Sequence, residues 1–234
     1  GGTSQPTLQL GDVEADGFVR FLNSLEKAEK TIRFFSRKRD GVFYTCHGDD
    51  ALYIAQECFH TMSVIKHIGR NKDVPSVCVS VANFHSYVAK LLTERQHRVE
   101  VWDTNKNARG GWECVRRGSP GNLEGFEDVI FDGAGESQDT PTAVCVQITN
   151  DGQAEGWRVG MAYCDNTLKH LGVTEFIDSE HLNTLEAVLV RLGAKECIVA
   201  DDKMRAPVEG AKIRDVLDRC DVVLTERKRA DFNA

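Results

Sequence analysis

Three β-prone runs dominate the middle of the second half of the sequence: AVCVQIT (143–149), WRVGMAYC (157–164) and VTEFID (173–178). The links between them are short and polar, which predicts three successive antiparallel strands. A leucine-rich helical segment capped by Ser179, the strand ECIVA, a second helix and the strand VVLT follow in that order. This β-β-β-α-β-α-β order is that of the ribonuclease H-like fold, so we predict an α/β domain of that class.

The first half of the sequence has a different pattern, with two strand pairs and three helices. TIRFF (31–35) and VFYTC (42–46) are joined by the short link SRKRDG, which indicates a hairpin. RVEVW (98–102) and WECVR (112–116) flank a polar, glycine-containing link and indicate a second one. Asn83 is expected to cap the helix FHSYVAKLLTER. We therefore predict a mixed-sheet α/β domain with local strand pairs.

Charge changes sign at a loop-rich join between these halves. Residues 1–121 carry 17 basic and 14 acidic side chains, a net charge of +3, whereas residues 122–234 carry 12 and 22, a net charge of −10. The join contains the turn sequence RRGSPGN (116–122), in which proline and glycine favour a tight turn. We therefore predict two domains, 1–121 and 122–234, with different partners.

Several functional classes are excluded by missing motifs. The 234 residues contain no P-loop, no G-x-G-x-x-G after a strand, no G-x-S-x-G and no H-E-x-x-H. The eight cysteines form no C-x-x-C pair and are expected to be buried free thiols in a reducing compartment. No run approaches the ~18 apolar residues that a membrane span needs. We expect no cofactor, no metal and no membrane contact.

A metal-dependent nuclease is the enzymatic alternative that the second half leaves open. Asp201 and Asp202 follow the strand ECIVA, where ribonuclease H-like nucleases place a metal-binding carboxylate. The first strand of this half, AVCVQI, offers no carboxylate. Two hard cations need several oxygen ligands, so this alternative is disfavoured, and both aspartates are expected at a solvated end of the strand.

A basic, aromatic hairpin is the strongest candidate for a binding site. Its turn carries Arg37, Lys38 and Arg39, its second strand carries Phe43 and Tyr44, and Lys66 follows further along the chain. Cations beside an aromatic ring are typical of proteins that contact the DNA backbone and distort the duplex. Adjacent strand residues point to opposite faces, so one ring is expected in the core, and the alternative for the turn is simple solvation.

Eight segments resemble the N-terminal part of the MutS family of DNA mismatch-repair proteins: TLQL (7–10), GFVRF (17–21), FYTCHGDDAL (43–52), VIKHIG (64–69), RQHRVEVW (95–102), SPGNLEGFEDVIF (119–131), NTLEAVLVRLGAKECIV (183–199) and LTERKRADF (224–232). The likeness runs in the family's order over essentially the whole chain and is most specific in two motifs, SPGNLEGFED (119–128) and LTERKRADF (224–232). It implies a mismatch-binding domain followed by a connector domain with a ribonuclease H-like fold. It also implies a nuclear location. This expectation depends on the resemblance alone, because the sequence itself carries no convincing localisation signal.

One departure from the family pattern implies a division of labour. In mismatch-reading members a strand carries Phe-x-Glu, whose ring wedges beside the mispaired base while the carboxylate bonds it. The corresponding triplet here is Phe43-Tyr44-Thr45. The resemblance therefore implies a subunit that supports another MutS-homologue subunit on mismatched double-stranded DNA, with Arg37 to Arg39 contacting phosphates and Phe43 packed or lightly touching DNA.

The resemblance also bears on the rest of the functional machinery. The family's ATPase domain lies in a part of the protein that this sequence does not include, so no nucleotide cofactor and no enzymatic activity are expected here. The connector domain would couple DNA binding to that ATPase and bind a MutL-type protein. A protein-interaction module without any DNA role remains the other alternative.

Overall fold

The computed structural model describes residues 12–36, 43–131, 142–150, 156–165 and 170–232. The chain divides into two units: residues 1–118 with 124–133, and residues 119–123 with 134–234. The predicted boundary between residues 121 and 122 falls inside the short segment Ser119–Leu123, which belongs to the second unit.

In its described residues the first unit contains four α-helices and six strands. The helices are α1 (Asp12–Ser24), α2 (Asp49–Glu57), α3 (Val81–Thr93) and α4 (Glu127–Phe131). The strands are β1 (Thr31–Ser36), β2 (Phe43–His47), β3 (Lys66–Ile68), β4 (Val74–Ser80), β5 (Arg98–Thr104) and β6 (Trp112–Gly118). They form one mixed sheet in the order β3-β4-β2-β1-β5-β6.

Strand pairing in this sheet is antiparallel except between β1 and β5. Both predicted hairpins are present, as β1 with β2 and β5 with β6. The parallel pairing of β1 with β5, which aligns Ser36 with Asp103, was not predicted. It joins the two hairpins into one sheet, and 61 residues separate the last residue of β1 from the first of β5 along the chain.

Helices cover both faces of the first sheet. On one face, Phe18 of α1 packs against Phe35 and Trp112, with the Phe18 and Phe35 rings 5.1 Å apart and perpendicular. On the other face, Phe84 of α3 is fully buried and packs edge-on against Phe34. Each face of the sheet therefore has its own aromatic core.

The second unit contains strands β7 (Thr142–Thr149), β8 (Trp157–Asp165), β9 (His170–Asp178), β10 (Ala194–Ala200) and β11 (Val223–Arg227). Its helices are α5 (Asn183–Arg191), α6 (Asp201–Arg205) and α7 (Pro207–Arg219). The sheet order is β11-β10-β7-β8-β9, with β7 to β9 an antiparallel meander and β10 parallel to β7 and β11. The order of elements predicted along this half of the chain is present, with the short helix α6 as an addition, and the chain has the expected α/β class with two mixed sheets.

The structure corrects three local predictions. Helix α3 is capped by Ser80, whose hydroxyl accepts the Asn83 backbone N–H at 3.3 Å, and not by Asn83. Helix α5 starts at Asn183, whose N–H donates a long bond of 3.5 Å to the predicted Ser179 hydroxyl, but the shorter bonds to the Asp178 carboxylate make that residue the principal cap. Asp201 and Asp202 begin helix α6 directly after β10 instead of ending a strand in a solvated loop.

The Asp178 cap illustrates why sequence spacing misplaced the start of α5. Its carboxylate accepts the backbone N–H groups of Thr184 and Leu185 at 3.0 and 2.7 Å from six and seven residues away. Burial opposes ionisation of Asp178, but these bonds outweigh it and lower the pKa of the carboxyl. A cap at this distance fits no standard capping spacing, whereas Ser179 sits where a capping pattern is normally sought.

Candidate nucleic-acid interface

The strand pairings bring the termini of several strands to the same end of the first sheet. Phe43, the first residue of β2, pairs with Ser80, the last residue of β4. On the other side, Ser36 ends β1 level with Asp103, and Thr104 ends β5 opposite Trp112 of β6. Phe43 therefore lies at the same end of the sheet as Ser36, the last residue of β1, and the loop after β5, and we call this end the basic end of the sheet.

Thr45 does not reach the surface. Its side chain is only 1% exposed, donates a hydrogen bond to the Phe35 carbonyl oxygen at 3.3 Å, and lies 2.9 Å from Nε2 of His47. Strand alternation places Thr45 and His47 on the sheet face that α1 covers. Position 45 thus satisfies a buried polar group, and its short side chain is enclosed by the domain.

His47 is the group that Thr45 supports. The ring is 3% exposed and packs edge-on against Phe18 and Phe35. Burial lowers the pKa of His47 from 6.5 to about 3, so the ring is neutral at physiological pH. Nδ1 of His47 has no hydrogen-bond partner among the described residues, which leaves Thr45 as the hydroxyl that bonds this imidazole.

Tyr44 points to the opposite face of the sheet from Thr45. Its ring stacks on the buried Phe84 ring with centroids 3.7 Å apart and an interplanar angle of 17°. Burial raises the pKa of the Tyr44 hydroxyl, while the nearby Arg116 guanidinium opposes that shift. The ring is half-buried and is held by α3, so its apolar surface is engaged within the first unit.

Phe43 and the basic turn residues occupy the remaining part of the predicted site. The Phe43 side chain is half-buried, and no aromatic ring of the described residues contacts it. Arg37, Lys38 and Arg39 lie outside the described residues, between Ser36 and Phe43. Phe43 is therefore the predicted DNA-contacting side chain that the structure leaves partly accessible at the basic end of the sheet.

Lys66 lies away from Phe43. Lys66 is on the edge strand β3 and pairs with Ser76 of β4, and His47 of β2 pairs with the same serine from the other side. Phe43 pairs with Ser80, four residues further along β4, which is about 13 Å at the usual rise per residue. The structure therefore separates Lys66 from Phe43.

A turn in the SPGNLEGFED motif is fixed to the second unit by a buried acid. Ser119 and Asn122 exchange two backbone hydrogen bonds, of 2.8 and 3.0 Å, and form a tight turn. Oε2 of Glu196, a residue of β10 that is 5% exposed, accepts the Ser119 hydroxyl at 2.5 Å and the Gly121 N–H at 3.1 Å. A Cβ on Gly121 would lie 2.7 Å from Glu196, so the turn requires glycine here.

The sequence predicts the SPGN turn but does not indicate its partner Glu196, which lies 75 residues from Gly121 along the chain. The Thr225 hydroxyl of β11 donates to the other carboxylate oxygen of Glu196, so the acid joins the turn to two strands. The only sequence signal was a glutamate at the start of the apolar strand run ECIVA, and that residue alone does not indicate its partners.

The carboxylates that raised the nuclease alternative are engaged in ion pairs. Asp201 pairs with Arg205 at 2.8 Å and Asp202 pairs with Arg229 at 2.6 Å. The Arg229 hydrogen bond lowers the pKa of Asp202. Among the described residues, no group of three or more histidine, cysteine or acidic side chains could hold a metal ion. The described part of the second unit therefore offers no two-metal site.

The cysteines and the helices test two further expectations, free thiols and no membrane-spanning helix. All eight cysteines are free thiols, two of them fully buried (Cys46 and Cys197) and one exposed (Cys164). Burial raises the pKa of the Cys58 and Cys78 thiols to about 11. In the described ranges, every helix is too short or too polar to cross a membrane.

Comparison with known proteins agrees with this two-unit architecture. MutS domain I matches residues 16–127, which include all six strands of the first sheet, and MutS domain II matches residues 143–234, which include the second sheet from Ala143 onward. The chain belongs to the MutS family.

The similar proteins within that family are MSH2 mismatch-repair proteins. DNA mismatch repair protein msh-2 of Neurospora crassa is 37% identical over 235 residues, which cover 98% of this chain and 24% of that protein. MSH2 of Arabidopsis thaliana is 37% identical over 97% of this chain and 23% of its own length. MSH2 of Saccharomyces cerevisiae is 28% identical over 99% and 24%. The chain spans about a quarter of the length of these relatives.

Proposed function

We propose that this chain is the N-terminal part of a DNA mismatch-recognition subunit, and that its first unit supports the binding of mismatched duplexes and insertion–deletion loops by a partner MutS-homologue subunit. The similarity to MSH2 repair proteins over nearly the whole chain supports a repair role. The observation that carries the supporting role is the burial of Thr45, because a 1% exposed hydroxyl bonded within the domain cannot read a base.

DNA contact in this proposal is to the backbone and is independent of sequence. Arg37, Lys38 and Arg39 supply cations next to Phe43, and phosphate contacts position a protein on the duplex without specifying a base. Tyr44 contributes by fixing β2 through its stack on Phe84. Neither a metal nor a nucleotide has a role in this step.

The second unit is proposed to couple and recruit. Its part of the sequence is strongly acidic, which suits contact with a protein better than contact with DNA. Coupling to an ATPase domain in the rest of the protein and docking of a MutL-type protein are assigned to this unit. The repair role implies a nuclear location.

Equilibrium DNA binding tests the proposal. Fluorescence anisotropy of the 234-residue chain is measured with a matched duplex, a single mismatch and an insertion–deletion loop at several salt concentrations. We expect weak, salt-sensitive binding, with mismatched over matched affinity differing by less than tenfold, or ~1.4 kcal/mol. A preference of tenfold or more would contradict the supporting role, and undetectable binding at low salt would contradict DNA contact by this chain.

A charge-matched pair of triple variants locates the contact. Replacing Arg37, Lys38 and Arg39 with alanine should weaken binding and flatten the dependence of affinity on salt, since each phosphate contact contributes about 0.9 to the slope. Replacing three basic residues of the second unit, Arg191, Lys195 and Lys203, changes the net charge equally and should leave the slope unchanged. Equal effects of both variants would reduce the binding to overall charge.

A further inference from the structure

The loop between β5 and β6, residues 105–111, lies at the basic end of the sheet. Parallel pairing of β1 with β5 aligns Ser36 with Asp103, so the loop that follows β5 leaves the sheet at the end where β1 stops. Adjacent strands are about 4.8 Å apart. The loop therefore starts one strand away from the end of β1 and two strands away from Phe43.

Hydrogen bonds hold this loop in one conformation. The Asn105 N–H donates to the Gly111 carbonyl at 2.9 Å, and the Ala108 N–H donates back to the Asn105 carbonyl at 3.0 Å. The Asn105 side chain accepts the Asn107 N–H at 3.0 Å and donates to the Glu113 carboxylate at 2.6 Å. The loop thus has a fixed conformation before any ligand arrives, which lowers the entropic cost of binding.

Close packing on α1 fixes the loop's position as well as its shape. Gly110 has φ +73° and approaches the Phe21 ring so closely that a Cβ would lie 2.5 Å from a ring carbon. Phe21 in turn packs edge-on against Trp102 of β5, with ring centroids 5.6 Å apart. The loop is therefore held between helix α1 and the end of β5.

The exposed part of the loop is cationic and polar. Lys106 and Asn107 are exposed, and the structure records no ion pair or hydrogen bond from the Lys106 ammonium within the described part of the chain. Residues 104–112, TNKNARGGW, contain two basic residues and no acid. The two flanking acids are engaged, because Asp103 is buried and accepts the Thr104 N–H while Glu113 accepts from Asn105.

We propose that the 105–111 loop is a second contact to the phosphate backbone of DNA, with Lys106 as its charged group and Asn107 as a neighbouring polar donor. The inference rests on the proposed function and extends it to a loop that the hairpin motif did not indicate. A rigid, acid-free loop with an unpaired ammonium, beside the edge where β1 ends, matches the chemistry of a sequence-independent phosphate contact.

Salt-dependent binding of single variants tests this contact. Anisotropy titrations with a matched duplex compare the wild-type chain with Lys106→Ala, Lys106→Arg and a control, Lys90→Ala, which removes an exposed lysine from the last turn of α3. We expect Lys106→Ala to reduce the salt slope by roughly 0.9 and the affinity about threefold. Lys106→Arg should restore both, and Lys90→Ala should leave both unchanged.

The outcomes separate this inference from the proposed function. If Lys106→Ala binds as the wild type does while the Arg37, Lys38 and Arg39 variant is weakened, the second contact is wrong and the proposed function stands. If the wild-type chain shows no salt-sensitive binding to any duplex, both fail together. An equal effect of Lys90→Ala and Lys106→Ala would assign the change to net charge and overturn the loop contact.

Discussion

The two sheets bury very different side chains. In the described residues of the first unit, eight polar side chains are buried: Thr31, Arg33, Thr45, His47, Asp50, Ser76, Gln96 and Asp103. In those of the second unit only three are, Thr142, Asp178 and Glu196, and its core face is otherwise aliphatic with Trp157 and two methionines.

Two charged members of the first group, Arg33 and Asp50, belong to one connected network. Arg33, 4% exposed, pairs with Glu100 at 3.1 Å, and its backbone N–H donates to Asp50 at 3.0 Å. Asp50 also forms an ion pair with Lys27. The second unit depends mainly on apolar packing, whereas the first depends on hydrogen bonds and charge states that respond to pH. We therefore expect the stability of the first unit to respond to acid and that of the second unit to respond to the truncation of buried apolar side chains.

Two substitutions in the second unit should show the largest difference in stability, because one removes a buried side chain and the other changes an exposed one. Leu185 of α5 is 1% exposed, and Leu185→Ala should lower the free energy of unfolding by about 2–5 kcal/mol because it leaves a cavity. Val173 of β9 is 79% exposed, and Val173→Thr should change it by less than about 0.5 kcal/mol. Hydrogen exchange of the β7 and β10 amides measures the change in unfolding free energy of both variants. Equal changes in the two variants would contradict a single-sided core.

Acid should destabilise the first unit through His47. The folded-state pKa of about 3 lies below the unfolded value of 6.5, so the unfolded state binds the proton more strongly. The full stability is present above pH 6.5 and is lost as pH falls towards 3, by roughly 2 kcal/mol at pH 5.

Two histidine variants isolate that contribution to the acid sensitivity. His47→Gln should remove about this amount from the difference in unfolding free energy between pH 7 and pH 5. His85→Gln, at an exposed position of α3, serves as the control and should keep the wild-type difference. Urea unfolding at both pH values gives the comparison, and an unchanged difference in His47→Gln would show that another group controls the acid response.

The smallest effects should come from two glycines in contrasting surroundings. Gly121→Ala places a Cβ 2.7 Å from Glu196 and should cost about 1–3 kcal/mol while raising hydrogen exchange at Ser119–Leu123. Gly17→Ala in α1 meets no atom within 4 Å and should stabilise the chain by about 0.5–1 kcal/mol. A neutral Gly121→Ala would mean that the turn is not held tightly against β10.

Strand periodicity and short links carried most of the fold. The meander β7 to β9, the two hairpins and the order of the second unit followed from runs such as AVCVQIT and VFYTC, because local alternation reports on burial. The helix FHSYVAKLLTER was also predicted and is present as α3, which buries Phe84, Val88, Leu91 and Leu92. The cap of α3 was missed because the helix begins three residues earlier than predicted, which places Ser80 at the capping position. The cap of α5 was missed because Asp178 accepts N–H groups six and seven residues away.

The candidate site was only partly predictable. The sequence indicated Phe43, Tyr44 and the basic turn, and the alternation rule correctly required one ring to pack inward, which is Tyr44 on Phe84. It grouped Lys66 with them, although Lys66 lies level with His47. It passed over Lys106, since the parallel pairing of β1 with β5 links residues 67 apart, and no local pattern records that register.

Local sequence patterns were enough to predict most helices and strands and their order, because periodicity and turn chemistry depend on neighbouring residues. The sequence also shows directly that a short side chain is present at position 45. The tertiary structure alone decided that Thr45 bonds His47 inside the domain, that Glu196 holds the turn at Gly121, and that the 105–111 loop stands at the end of the sheet near Phe43. Those facts depend on contacts between residues distant in the chain, and such contacts are set by packing and strand register.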